Sequence, residues 1–333
     1  MTLKVVWRLL NLASVLALCV VLLGAWTRIS DAGLSCPDWP GCYGHMVMPV
    51  EQEALNRAQQ AYPETPIEIG KTHLEMGHRY LAGMLGLIIA VLAACAYQSR
   101  RNEDYPVMGS YLLLVLVTVQ ALFGMWTVTL KLYPPVVTLH LLGGVLTLTG
   151  VLLLRLRIKQ LLQGSGVRKH SKHSGLVMAA AVVLMLQIVL GGWTSSNYAG
   201  PACQHWFICD SQIEIEPDFS LGFDPLAVVG PNYQGGLLPV EARAAIQIGH
   251  RLGAVLVVVM SCWLFFTLVK GAATRGPVTV LIILLGGQLL LGIFNVIYAV
   301  PPVLAILHHA LAVGLLLVLL WIYSRLTLSS EVV

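Results

Sequence analysis

Eight apolar segments constrain the fold of this chain more than any other feature of its sequence. Each has roughly the 20 residues that a helix needs to cross a bilayer. They lie at about 5–26, 73–97, 107–128, 136–154, 175–194, 245–269, 277–299 and 303–323. Because backbone polar groups in lipid must be satisfied within the segment that carries them, the pattern predicts an all-α integral membrane protein with eight transmembrane helices. The first segment is too long for a signal peptide and no clear cleavage site follows it, so we expect a retained helix.

The charged residues predict how these helices are oriented. They make up only 11% of the chain, and the net charge is +4. Most Lys and Arg residues lie near the N-terminus and in the short connections, whereas most Asp and Glu residues lie in two long loops, at about 27–72 and 195–243. The positive-inside rule then predicts cytoplasmic termini, with the long loops on the periplasmic side of a bacterial inner membrane. The positive charge therefore indicates topology in a lipid bilayer and gives no sign of nucleic-acid binding.

The two halves of the chain repeat the same motifs. Residues 1–160 and 173–333 each contain four of the eight segments. Corresponding pairs include Trp26 and Trp193, Cys36 and Cys203, Cys42 and Cys209, His78 and His250, Gly124 and Gly292, and His140 and His308. The repeat predicts two tandem, pseudo-symmetric four-helix bundles that run in the same direction, related by an axis along the membrane normal.

Four of the ten histidines occupy corresponding positions in the two halves. His78 and His250 are expected five or six residues into their helices, and His140 and His308 near the starts of theirs. Two imidazoles at one depth in an apolar bundle suit haem iron, which takes two axial ligands, better than a structural zinc ion, which takes four. His309 is an alternative to His308, although the repeat favours His308. The histidines without a repeat partner are predicted to be non-ligands: His45, His73, His170, His173 and His205.

Arg79 and Arg251 directly follow the first histidine of each pair. Both are expected near the outer headgroup level, where haem propionates would emerge, and are therefore candidates for binding them. The alternative is contact with lipid phosphate, which long basic side chains reach by extending toward the interface.

One chemical difference separates the halves. Glu75 lies three residues before His78, whereas Gln247 takes that position before His250. Residues that are three apart on a helix lie on one face, so Glu75 can reach whatever group His78 binds. The side-chain amide of Gln247 cannot exchange a proton at ordinary pH. The contrast predicts chemistry in the first bundle and support in the second. The alternative is a structural role for Glu75, paired with Arg79 or a neighbouring helix.

The cysteines fall into two groups. Cys19, Cys95 and Cys262 lie singly in apolar segments and are expected to be small core residues. The pairs Cys36/Cys42 and Cys203/Cys209 lie in the outer loops, where an oxidising compartment permits disulfides. For the first pair a structural staple and a redox-active bridge both remain open, and the second is predicted to be structural. Residues 51–62 are expected to form a short surface helix over the first bundle, and Trp39 and Trp206 to lie at the interface or over a haem edge.

Taken together, these motifs resemble the haem A synthase family of the bacterial and mitochondrial respiratory-oxidase assembly pathway. The resemblance covers essentially the whole chain, and the cysteine pair in each half is similar to one bacterial subgroup. The resemblance rests on five motifs: the stretch from Gly24 to Ser35, Glu75-Met-Gly-His78-Arg79, Leu139-His140, Gly249-His250-Arg251 and Leu307-His308.

The resemblance implies an oxidoreductase that converts haem O into haem A. The methyl group at porphyrin C8 would become a formyl group by two successive hydroxylations and a dehydration. By position, His78 and His140 would bracket haem O as substrate, His250 and His308 would ligate a haem B cofactor, and Glu75 would be the essential glutamate. The implied partners are a haem O synthase as substrate donor and the cytochrome oxidase assembly pathway. The electron acceptor and the oxygen source stay open, as does a homo-oligomeric state.

Two other functions are compatible with paired histidines. A di-haem b-type membrane cytochrome would only transfer electrons, and a haem transporter or chaperone would release its haem. The cytochrome leaves the difference between Glu75 and Gln247 without a purpose, and neither function accounts for the extended match to the synthase family.

Overall fold

The computed structural model describes residues 2–49, 51–164, 171–203, 209, 215–227 and 230–328. Within them it contains ten α-helices and no strand. Eight of the helices are long and apolar enough to cross a membrane, which confirms the predicted all-α integral membrane protein. These eight are α1 (Leu3–Ile29), α3 (Ile69–Gln98), α4 (Val107–Thr129), α5 (Pro134–Leu162), α6 (Ser174–Ser196), α8 (Val240–Leu268), α9 (Ala272–Ile297) and α10 (Pro302–Leu328). The two short helices are α2 (Gln52–Ala61) and α7 (Phe219–Gly222).

Three of the predicted helix starts are wrong. Helix α3 begins at Ile69, α8 at Val240 and α9 at Ala272, four, five and five residues before the apolar segments begin. Hydropathy detects the part of a helix that suits lipid and misses polar first turns such as the one that contains Lys71 and Thr72. His78 therefore lies nine residues after the first residue of α3, and His250 ten after the first residue of α8. At ~1.5 Å per residue both imidazoles lie about 6 Å further along their helices than expected.

The first compact unit comprises Met1–Gln163 together with Gly230–Gln234. Its long helices form a ring in which α1 and α4 each pack against both α3 and α5. The two helices that carry histidines, α3 and α5, are therefore diagonal to one another. Burial follows helical spacing: Val6, Leu10, Ala13 and Ala17 of α1 are buried, while the opposite face of the helix exposes apolar residues suited to lipid, such as Val15.

A folded loop covers one end of this unit. Helix α2 contributes Leu55 and Ala58 to an apolar cluster that also contains Cys36, Cys42, Tyr43, Met48 and Met76 of α3. The cluster joins the first long loop to the helix that carries His78. The surface helix expected at 51–62 is present as α2.

The second unit comprises Gly164–Val229 and Gly235–Val333. Helices α6 and α9 each pack against both α8 and α10, so the histidine-bearing helices are again diagonal. Helix α7 packs on α8, where Leu221 and Trp193 contact a buried cluster of Ala199, Leu238, Ala242 and Ile246. His170, His205 and Trp206 lie outside the described residues.

Candidate functional site

The histidine pair of the first unit meets inside its bundle. The ring centroids of His78 and His140 are 6.4 Å apart, and the ring planes are nearly perpendicular, at 86°. The Nδ1 atom of each ring is buried and has no hydrogen-bond partner among the described residues. Two buried imidazoles with unsatisfied nitrogens, held by diagonal helices, form a site that a ligand would complete.

Glycines on the two flanking helices make room for these rings. A Cβ atom at Gly24 of α1 would lie 2.7 Å from Cε1 of His78, and one at Gly124 of α4 would lie 3.4 Å from Cε1 of His140. Each ring therefore lies against the backbone of a neighbouring helix. At Gly24 even the smallest side chain would force the imidazole to move.

The second unit repeats this arrangement. A Cβ atom at Gly191 would lie 3.3 Å from Cε1 of His250, and one at Gly292 would lie 3.2 Å from Cε1 of His308. The equivalence supports His308, which faces Gly292 as His140 faces Gly124. His309 nevertheless has a buried Nε2 with no partner in the described structure, so it remains the alternative.

The amide side chains around the histidines differ between the units. Gln187 Nε2 lies 3.1 Å from Nδ1 of His250 and donates to the backbone oxygen of that residue at 2.9 Å. Gln288 Nε2 lies 3.2 Å from Nε2 of His308. At an offset of 167 residues, Val20 takes the place of Gln187 in the first half. His250 thus has a side-chain neighbour that His78 lacks.

This donor set fits haem better than a bare metal ion. No cluster of three or more His, Cys, Asp or Glu side chains that could hold a metal occurs in the described ranges. Each unit instead offers one histidine pair and adjacent glycines. A group that brings its own equatorial ligands needs only two axial imidazoles from the protein.

Glu75 lies one turn from His78, beneath the first loop. Its side chain is buried, and its Oε2 accepts a hydrogen bond from the backbone N–H of Cys36 at 2.9 Å. Its other oxygen pairs with the guanidinium of Arg79. The side chain that could exchange protons is thus held by both the loop and its own helix, and the ion pair considered as the alternative role is present.

Arg79 fastens the loop to α3. Its Nη1 donates to the backbone oxygens of Asp38 at 2.8 Å and Gly41 at 2.5 Å. The side chain is only 12% exposed. These contacts leave propionate binding by Arg79 as a prediction.

The corresponding residues of the second unit also contact their loop. Gln247 Nε2 donates to the oxygen of Gly200 at 3.3 Å, and Arg251 donates to the oxygen of Cys203 at 3.2 Å. The Oε1 atom of Gln247 is buried and has no partner within the described chain. Both units therefore fasten a cysteine loop to the histidine helix, and Gln247 does so without the charge of Glu75.

Disulfides join Cys36 to Cys42 and Cys203 to Cys209. Cys95 is buried, Cys262 is half-buried, and Cys19 is exposed on the surface of α1. The expectation of a core position is therefore wrong for Cys19, because its segment is apolar on its outward face as well. His45 and His73 are exposed, away from either histidine pair. Trp39, beside the first disulfide, is 39% exposed.

Sequence reasoning missed the glycines that face His78 and His250, and it missed Gln187. Gly24 and Gly191 correspond at the same offset as the cysteines, so the repeat contained a signal for them. Gln187 could have been found as a polar residue in an apolar segment without a counterpart in the other half.

Comparison with known proteins gives consistent results over almost the full length. The family described as cytochrome oxidase assembly protein matches residues 7–320. The chain is 38% identical to the "Heme A synthase" of Shewanella oneidensis over 314 residues, which covers 94% of each protein. The "Heme A synthase" of Flavobacterium johnsoniae is 24% identical over 344 residues, covering 94% of this chain and 95% of that protein. That of Mesorhizobium japonicum is 27% identical over 317 residues, covering 88% and 82% respectively.

Proposed function

Because the chain belongs to the cytochrome oxidase assembly protein family, we propose that it is a haem A synthase that oxidises the C8 methyl group of haem O to a formyl group. One structural observation carries the assignment of roles to the two units. Both place two histidines from diagonal helices against glycines of the flanking helices, but among the described residues only the first has an ionisable carboxyl group one turn before its first histidine. A unit that performs chemistry needs such a group, and a unit that only holds a cofactor does not.

In this proposal the first unit binds haem O as substrate, between His78 and His140. The conversion proceeds by two hydroxylations of the methyl carbon and loss of water. With the oxygen atom counted as water, the conversion of the methyl group to a formyl group releases four protons and four electrons, and an acceptor outside the chain must take up the electrons. The ring separation and the unsatisfied Nδ1 atoms support this site, because a bound porphyrin would fix both imidazoles.

In the second unit, His250 and His308 would hold haem B. When bound, haem B supplies one-electron redox chemistry. Gln187 and Gln288 contact the rings of these histidines and limit their rotation. A fixed ligand geometry suits a resident cofactor, since contacts from outside the first shell orient the ligands.

Glu75 would handle the protons released from the substrate methyl group. A carboxyl group within reach of a reacting group is an effective proton acceptor and donor. Its contacts with Arg79 and Cys36 fix the direction of the carboxyl group. The main role of the Cys36–Cys42 disulfide would be structural, since it shapes the loop that holds Glu75. A redox role for this disulfide is the competing proposal.

The remaining proposals concern the haem propionates, the membrane and the partners of the chain. Arg79 and Arg251, which directly follow the first histidine of each pair, would bind propionates through their charged guanidinium groups. The chain would lie in the bacterial inner membrane with cytoplasmic termini and periplasmic loops, receive haem O from a haem O synthase, and supply the cytochrome oxidase assembly pathway.

Pigment extraction tests the proposal. The full chain is expressed with and without a haem O synthase, and the haems of the purified protein are identified by chromatography and mass. We expect haem B in both preparations, and haem O with its hydroxylated and formyl products only when haem O is supplied. Haem B alone at two equivalents, in both preparations, would instead support an electron-transferring di-haem cytochrome.

A further inference from the structure

A second site lies at the end of the first unit that is opposite the cysteine loop. The first turns of α1 and the last turns of α5 enclose a cleft of about 360 Å³, lined by Lys4, Trp7, Arg8, Lys159, Leu162 and Gln163. Lys4 and Arg8 are four residues apart on α1, so they share one face of the helix, and Lys159 approaches from α5. Three cations therefore converge on one cleft from two helices that pack together.

None of these three cations forms an ion pair within the described part of the chain. The ion pairs found in the described ranges join other residues and include none of the three. The sequence explains this, because neither 1–30 nor 155–196 contains an Asp or a Glu. The positive charge of the cleft is thus not neutralised by these parts of the chain.

Two further polar groups near the cleft have no acidic partner among the described residues. The indole Nε1 of Trp7 is buried and donates to no described acceptor. One turn before Lys159, Arg155 is half-buried between α5 and α1, where its Nε donates to Oδ1 of Asn11 rather than to a carboxylate. A basic side chain held in a spanning helix by an amide is typical of a functional position.

We propose that this cleft binds the phosphate headgroup of an anionic phospholipid. Phosphate oxygens would accept from Lys4, Arg8 and Lys159 and from the indole N–H of Trp7, which are the donors that the cleft supplies. Leu162 and the exposed apolar face of α1 give the acyl chains a surface that a free anion would not use. Basic pockets between helix ends are suited to such headgroups. This proposal does not depend on the haem chemistry.

The test uses the purified full chain in a neutral detergent, titrated with phosphatidylglycerol, phosphatidylcholine or inorganic phosphate. Bound lipid is counted by native mass spectrometry, and the unfolding midpoint is followed in parallel. We expect phosphatidylglycerol to bind and to raise the midpoint well above the other two additives. The variant with Lys4→Gln, Arg8→Gln and Lys159→Gln should bind it on the order of a hundredfold more weakly, since each basic residue contributes severalfold.

A matched variant removes three other cations from the connections predicted at the same membrane face: Arg101→Gln, Lys270→Gln and Arg275→Gln. It should bind phosphatidylglycerol within about twofold of the unmodified chain, because these residues do not line the cleft. Trp7→Phe keeps every charge and should weaken binding severalfold, which tests the site even if the triple variant fails to fold. Equal losses in the two triple variants, equal binding of phosphatidylcholine, or an equal effect of inorganic phosphate would overturn the proposal.

Discussion

The carboxyl group of Glu75 accepts the backbone N–H of Cys36 at 2.9 Å, so the first disulfide loop and the candidate catalytic side chain are directly joined. The Cys36 N–H is a neutral donor to this carboxyl group, and the guanidinium of Arg79 adds a charged donor. A displacement of the Cys36 backbone would therefore break or strain a contact of Glu75. These contacts hold the Glu75 carboxyl group in place one turn from His78.

Glu75→Gln should separate haem binding from haem oxidation. The amide is nearly isosteric and can still accept from Cys36, but it cannot take up or release a proton. We expect the variant to retain both haems while formyl product disappears or stalls at a hydroxylated stage, as measured by mass analysis of extracted pigment. Glu68→Gln provides the control, because it removes an exposed carboxylate beside the start of the same helix. Normal haem A formation by Glu75→Gln would remove the basis for the assigned role.

Arg79→Ala should destabilise the first unit more than the loss of one surface ion pair would. It leaves the buried Glu75 carboxylate without its partner and frees the carbonyls of Asp38 and Gly41, a change that typically costs about 3–5 kcal/mol for a buried pair. Thermal unfolding followed by near-ultraviolet circular dichroism measures the loss.

The double variant Glu75→Gln with Arg79→Ala gives the sharper comparison. Because no unpaired charge stays buried, it should be more stable than Arg79→Ala alone. A double variant less stable than both single variants would mean that the two residues act independently.

The eight membrane-spanning helices could be predicted from the sequence, because a lipid bilayer places a simple requirement on the helices that cross it. Helices that cross a bilayer must be long and apolar, and all eight were predictable from that requirement alone. The starts of α3, α8 and α9 were not, because a polar first turn outside the lipid has the same composition as a loop. Residues 69–72 and 240–244 belong to α3 and α8 although their hydropathy did not predict it. His78 and His250 therefore lie further from the starts of these helices than expected.

The contacts of the candidate site were less predictable than its residues. The repeat identified His78, His140, His250 and His308 from their positions. It gave no sign that Arg79 would bind the loop carbonyls, since that contact depends on how residues 36–42 fold over α3. The length of the apolar segments determines which helices exist, whereas loop contacts depend on backbone geometry that no hydropathy pattern encodes.

Gly24→Ala should disturb haem binding in the first unit alone. Its Cβ atom would lie 2.7 Å from Cε1 of His78, so the imidazole would have to leave its position. We expect the low-spin haem signal in electron paramagnetic resonance to fall by about half, because the substitution affects only one of the two proposed haem sites. Gly77→Ala is the matched control, since its Cβ atom would meet nothing closer than Leu23 at 4.0 Å. A loss in the control as large as in Gly24→Ala would assign the effect to helix packing instead.

Tyr43 should make the first loop sensitive to alkaline pH. Its hydroxyl donates to the backbone oxygens of Thr65 and Pro66, each at 3.2 Å. Burial, followed by the negative charges of Glu75 and Asp38, raises the pKa of Tyr43 from its usual 10.0 to about 12. A group whose pKa is higher in the folded state stabilises that state fully below its unfolded pKa and less as pH rises toward the folded one. The loop should therefore keep its stability up to about pH 10 and lose it between about pH 10 and 12.

Hydrogen exchange of the loop amides, read by mass spectrometry from pH 8 to 12, measures this loss once the intrinsic pH dependence of exchange is subtracted. Tyr43→Phe should open the loop more readily at pH 8, by about 1 kcal/mol for the lost hydrogen bonds, and should remove the additional opening above pH 10. Tyr62→Phe is the matched control, because Tyr62 packs edge-on against the Tyr43 ring and its replacement leaves the Tyr43 hydroxyl in place. If Tyr43→Phe opened with the same pH dependence as the unmodified chain, another group would have to account for the alkaline transition.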